Sequence, residues 1–208
     1  MNSFEADIRR AVCSKGFAAG LVIEVLVLFY GGFDSGIFRM CVPVIAAFPY
    51  ATAWLSEYRS GYIKAYLPRT GVTPYILGKF LACGISGGLL EFLGCGLYVL
   101  VGRAGTAEIR LLPVFFSGAL WAVLAATLAA WSNNRYIAYG GAFVIYYLLV
   151  MLYERYFEGL YCLYPYEWLM PTHTWVWGEQ GVLLLLAGII LVLFCLYYEI
   201  LRRYIGRV

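Results

Sequence analysis

The chain has a single histidine, His173, among 208 residues, and only 13% of its residues are charged. One histidine is too few for a histidine-based metal centre, and no CxxC pair supplies a thiolate alternative. The six cysteines (Cys13, Cys41, Cys83, Cys95, Cys162, Cys195) sit mostly inside apolar runs, where cysteine behaves as a small hydrophobe; only Cys162 falls clearly in a loop, so no disulfide framework is expected. No basic tract interleaved with aromatics is present, which argues against nucleic acid as a partner. No polar stretch between apolar runs reaches about 40 residues, below which a separate soluble domain rarely folds unaided. Nor does the N-terminus read as a signal peptide: Glu5 and Asp7 precede the basic pair, Glu24 interrupts the apolar region, and no A-x-A-like site follows.

What is present is apolar. Hydrophobic residues make up 63% of the chain and aromatics 18%. A soluble domain of this size would need far more polar surface, so the reading is one all-α membrane domain over 1–208. A spanning helix needs roughly 20 mostly apolar residues. Six spans are expected, near 16–33, 36–56, 74–101, 111–131, 136–153 and 180–200.

Lysine and arginine set the orientation. With the N-terminus inside, Arg9, Arg10, Lys15, Arg59, Lys64, Arg69, Lys79, Arg135, Arg202, Arg203 and Arg207 are cytoplasmic, against Arg39, Arg103, Arg110 and Arg155 outside. The acids Asp34, Glu108, Glu154, Glu158, Glu167 and Glu179 also fall outside, so both termini are expected in the cytoplasm. Residues 1–15 place Phe4, Ile8, Ala11 and Val12 on one helical face, opposite Asp7 and Arg10. That pattern predicts an amphipathic helix lying on the inner surface.

Between the second and third spans lies "SEYRSGYIKAYLPRTGVTPYILGK", with five charges in 24 residues. Tyr58, Tyr62 and Tyr66 recur at helical spacing, while Glu57, Ser60 and Lys64 line another face, so two turns of helix are expected over 57–67. Pro68 is expected to stop that helix, Thr73 to cap the next with Pro74 at its first position, and Lys79 to snorkel to the headgroups. A tether would need only a few residues. The segment therefore reads as a docking surface for a cytoplasmic partner, the plainer alternative being a topology anchor.

An amphipathic N-terminal helix, six spans and this stretch together resemble the transmembrane subunit of an ABC exporter of the second type (ABC-2). Glu57, Gly61, Leu67, Pro68, Gly78 and Lys79 occupy the positions of that family's glutamate and glycine after the second span, its Leu-Pro-like break and its Gly-Lys before the third. The residues "RTGVTP" after Leu67-Pro68 depart from the usual filler. The resemblance implies a dimer of permease subunits with two separate ATPase subunits docked on a coupling helix that carries Glu57, Arg59, Gly61, Lys64 and Pro68. ATP and magnesium would be bound by the ATPase and no cofactor by this chain. The chain offers no ATP site of its own: in "GVTPYILGKF", Thr73 stands where a P-loop's first glycine would be and Phe80 replaces the magnesium-binding Ser/Thr.

Glu24, Arg39 and Glu91 fall within apolar spans, where ionisable residues are rare and point to function. Either Arg39 neutralises one of the glutamates and locks helices together, or a carboxylate faces a cavity and meets a cationic substrate. The same residues would serve a proton- or ion-coupled carrier, the alternative function. A membrane enzyme is disfavoured, because no His, Ser or Cys constellation appears. Gly84 and Gly88, and likewise Gly16 and Gly20, are spaced for close helix packing, more within a subunit than across a dimer.

The segment 153–179 carries nine aromatics and two prolines. An aromatic belt is the plainer reading. Similarity to ABC-2 permeases implies short helices that dip back and close an exit, with Tyr164, Trp168, His173 and Trp175 in an outer gate.

Overall fold

The computed structural model describes residues 3–102, 109–157, 159–175 and 177–206. Arg103, Glu108, Glu158 and Arg207, used above to orient the chain, lie outside the described residues. Every regular element among the described residues is helical.

Polar side chains start several helices. Ser14 accepts a hydrogen bond from the Phe17 amide (2.9 Å) and opens α2, Lys15–Gly31, directly after α1, Ser3–Val12. Ser35 accepts from Phe38 (3.1 Å) at the start of α3, Gly36–Ile45. After α4, Ala53–Arg59, α5, Tyr62–Thr70, α6, Val72–Leu100, and α7, Leu111–Ser132, Asn134 caps α8, Arg135–Tyr156. A 3-10 turn at Tyr161–Leu163 and the short α9, Pro165–Leu169, precede the last helix, α10, Glu179–Ile205.

Four of these (α6, α7, α8 and α10) are long and apolar enough to cross a membrane, or five if α1 and α2, bent by 45° at their joint, count as one span. Helices occupy the segments expected at 16–33, 74–101, 111–131, 136–153 and 180–200. The segment 36–56 does not form a single helix. Pro43 has no amide hydrogen to return to the Arg39 carbonyl, α3 stops at Ile45, and turns run through 46–52 before α4 begins.

The hairpin after it differs from expectation as well. Instead of one helix over 57–67, α4 ends at Arg59 and α5 begins at Tyr62, separated by Gly61 at φ +74°, a conformation that side-chain-bearing residues rarely adopt. Pro68 does not stop α5. It lies inside the helix, and Gly71 at φ +79° ends it. Thr73 does not cap α6, which opens at Val72; its hydroxyl lies 3.3 Å from the Tyr198 hydroxyl on α10.

The centre of the bundle is α7, whose apolar window is 67% buried against 17% for α8. It packs on α6, α8 and α10. Close approach to α7 and to the turn after α3 passes through Gly87 of α6. A Cβ there would press on Ala122 and lie 2.9 Å from the Ala46 carbonyl oxygen and 3.1 Å from that of Gly118. Gly84 and Gly88 likewise face α7 at Val123 and Phe115, and Gly16 and Gly20 face the turn at Phe48 and Leu90 of α6, so both small-residue pairs serve packing within one chain.

Candidate functional site

Three polar constellations occupy the apolar bundle. The first is built on Lys79, near the start of α6. Rather than snorkelling outward, its side chain is only 3% exposed, and its ammonium reaches Asp7 Oδ1 (2.7 Å), Glu57 Oε1 (2.6 Å) and Tyr50 Oη (2.8 Å). Three donors meet three acceptors, so the ammonium is saturated. Tyr50 donates its own hydroxyl to Asp7 Oδ1 (2.8 Å), and Tyr75 donates to Glu57 Oε2 (2.8 Å). Arg10 stands 3.7 Å from Glu57. Two cations and two anions thus join α1, the 46–52 turn, α4 and α6. The break in α3 is what brings Tyr50 there.

Asp7 was expected on the exposed polar face of α1 with Arg10. It is buried instead, and Arg10 remains exposed. Of the other expected coupling residues, Arg59 donates to the Asn133 carbonyl (2.6 Å), which ties α4 to the α7–α8 turn. Lys64 and Pro68 are exposed on α5 and line a groove with Ile63, Leu67 and Ile205. Only Glu57 of the five is part of the ionic junction.

The second constellation sets Glu24 of α2 beside Glu91 of α6, both 0% exposed, with the Glu24 carboxyl lying over Gly94, one turn along α6 from Glu91. Arg39 was expected to neutralise one of them and does not. Its guanidinium lies 3.6 Å from Asp34 and 3.4 Å from the centre of the Tyr166 ring. It sits in the first turn of α3, closer to the α2–α3 loop than to either glutamate along the chain. The Cys95 thiol contacts Glu24 Oε1 at 3.8 Å, while Glu24 Oε2 and both Glu91 oxygens have no donor among the described residues.

The third is a cap over the opposite end of the bundle, organised by Glu167 of α9, a residue that the sequence did not single out. Its fully buried carboxylate accepts from the Thr172 amide (3.0 Å) and hydroxyl, the His173 amide (3.2 Å) and Nδ1 (2.9 Å), and Trp175 Nε1 (3.4 Å). Burial alone would push this carboxyl up, but the bonds from Thr172 and His173 together outweigh it and hold the group below the usual range. Of the expected gate residues, Trp168 is buried against Trp121 of α7 and donates to the Cys162 carbonyl (3.0 Å). His173 stacks on Tyr161, Trp175 meets Tyr161 edge-on, and Tyr164 stacks on Tyr153. His173 and Trp175 converge on Glu167; Tyr164 stands apart.

Glu167 has a depressed folded-state value, so its contribution to the cap is complete above its unfolded value of about 4.3 and is lost as pH falls through the lower folded one. Tryptophan fluorescence of the cap is therefore expected to hold steady from neutrality to about pH 5 and to change below it, with Glu167→Gln removing that acid transition. Identical acid profiles for the two proteins would dismiss Glu167 as the organiser.

Asp7, Tyr50, Tyr75 and Glu167 were missed because each depends on contacts remote in sequence. For Asp7 the expected placement opposite Ala11 is corrected: four residues apart on a helix, the two lie on the same side of α1, and both are buried. Among the described residues, no three His, Cys, Asp or Glu side chains converge as a metal site. Compared with family models, curated proteins and solved structures, the chain matches none.

Proposed function

We propose that this chain is the permease subunit of an ATP-driven exporter of the ABC-2 kind, inserted in a cell membrane with both termini in the cytoplasm and α3–α4 as a broken sixth span. It works as a dimer with a second permease copy, and separate ATPase subunits dock on α5. The observation that carries this reading is the Lys79 junction. It clamps α1, α4 and α6 together beside a short, exposed helix, so force applied to α5 has a stiff route into the long helix α6. The cap around Glu167 is the outer gate in this reading, closing a path that opens when ATPase closure separates the paired subunits.

The surface for the ATPase is the exposed side of α5, at Lys64, Ala65 and Pro68, and not Glu57, whose carboxylate is occupied. Tagged chain purified from its native membranes is expected to bring down a P-loop ATPase. Lys64→Glu combined with Ala65→Trp should reduce the retained ATPase by about tenfold, a change of about 1.4 kcal/mol, while leaving permease–permease association intact. Wild-type chain that retains no ATPase, or transport that continues with hydrolysis blocked, would sink the proposal.

The Glu24–Glu91 pair favours a second reading, a proton- or ion-coupled carrier. Substrate movement driven by a pH gradient in vesicles holding only this chain would select it.

A further inference from the structure

Two carboxyl groups sealed inside the bundle have no role in the exporter reading. Glu24 projects from α2 and Glu91 from α6, and neither exposes any surface. The Glu24 carboxyl lies over Gly94, one turn along α6 from Glu91, and Cys95 is the only donor within reach of either carboxyl among the described residues. The titratable groups near the pair are Cys95 on α6, whose thiol faces Glu24, and Cys41 on α3, near Glu91; α7 contributes Gly118 and no charge. No lysine, arginine or histidine bonds to either carboxyl among the described residues.

The space for this pair is made by two glycines. A Cβ at Gly94 would collide with the Glu24 carboxyl group, and one at Gly118 would lie 2.6 Å from Glu91 Cγ and 3.0 Å from its Cβ. Helices α6 and α7 are thus each cut back at the point where a carboxyl must fit. Three of the four carboxyl oxygens are enclosed without a donor. Two ionised carboxylates side by side there would repel, with no cation among the described residues to offset them. A carboxylic acid hydrogen supplies the missing donor and removes one charge.

We propose that Glu24 and Glu91 form a proton-binding site, a carboxyl dyad that holds at least one proton at neutral pH and joins α2 to α6 through it. The ligand is H+, and each carboxyl is a candidate carrier, since protons on a coupled pair belong to the pair. The proton exchanges with water when α2 and α6 part, so its occupancy reports on the seam between them. The site stands whether or not an ATPase docks on α5, because it needs only this chain.

Infrared spectroscopy of the purified chain in lipid, with carbon-13-labelled glutamate, tests it. At neutral pH, the wild-type spectrum minus that of the Glu24→Gln/Glu91→Gln double variant is expected to show a carboxylic acid C=O band equivalent to one or two groups. The amides preserve shape and can bond to each other. If the double variant misfolds, Glu91→Gln alone serves: its amide donates to Glu24, and the wild-type difference must still contain an acid band. Replacing sodium and potassium by choline is expected to leave that band unchanged. Gly94→Ala, which drives the carboxyls apart, is expected to shift it. A difference spectrum containing only carboxylate bands overturns the proposal. An acid band that gives way to carboxylate on adding sodium or potassium also overturns it, in favour of a metal-cation site.

Discussion

Lys79→Met is expected to lower the stability of the folded chain by about 3–5 kcal/mol, the cost of leaving a buried ion pair with one partner. The methionine fills much the same space, so packing is nearly conserved and the loss is electrostatic. Asp7 would keep only the Tyr50 hydroxyl, and Glu57 only Tyr75 and the more distant Arg10. Both carboxylates would then be buried with too little positive charge. Adding Asp7→Asn and Glu57→Gln to Lys79→Met should recover most of the loss, because a neutral cluster has no uncompensated charge. Thermal unfolding in detergent, followed by tryptophan fluorescence and by elution as a single species, measures both. If Lys79→Met melts with the wild type, the junction is not a clamp, and the route from α5 to α6 loses its basis.

Trp121→Ala is expected to release the cap. Trp121 is 1% exposed on the central helix, its ring lies 5.6 Å from Tyr146 of α8 and 5.8 Å from Trp168 of α9, and together with Trp168 it lines an apolar cavity of ≈310 Å³ among α7, α8 and α10. Removing a buried tryptophan in water-soluble proteins costs about 3–5 kcal/mol. Inside a bilayer the transfer contribution weakens, because lipid is as apolar as the core. The cavity and lost dispersion contacts remain, and about 3 kcal/mol is the expected loss. Its effect should be local to the cap: amide exchange over 159–175 should speed up strongly, while α6 near Lys79 stays protected. Trp121→Phe, which also deletes an indole nitrogen with no partner among the described residues, should retain most of the protection. Uniform loss of protection across both ends would mean that Trp121 supports the bundle as a whole and not the cap.

The coupling residues expected at 57–68 do not act as one set in the folded chain. Glu57 turns inward to Lys79, Arg59 reaches the α7–α8 turn, and Lys64 stays outside, because Gly61 swings the chain between α4 and α5. Helical periodicity alone could not register that swing, since it assumes one continuous helix.

By itself the sequence determined the apolar helices. Long hydrophobic runs near 74–101, 111–131, 136–153 and 180–200 leave helix as the structure that satisfies every backbone amide without water, and serine or asparagine ahead of α2, α3 and α8 sets their starts. It also picked out which charges lie among apolar residues. The partner of each charge was decided only in three dimensions. Arg39 went to Asp34 and Tyr166, Lys79 to Asp7, Tyr50 and Glu57, and Glu24 to Glu91, across sequence separations that hydropathy and helical period do not encode. The physical reason is that burying a charge is costly until a specific partner offsets it, and that partner is supplied by the way the helices cross. Where they cross is fixed by the small residues of α6 and α7, whose close approach at Gly87 sets the position of every group carried on them.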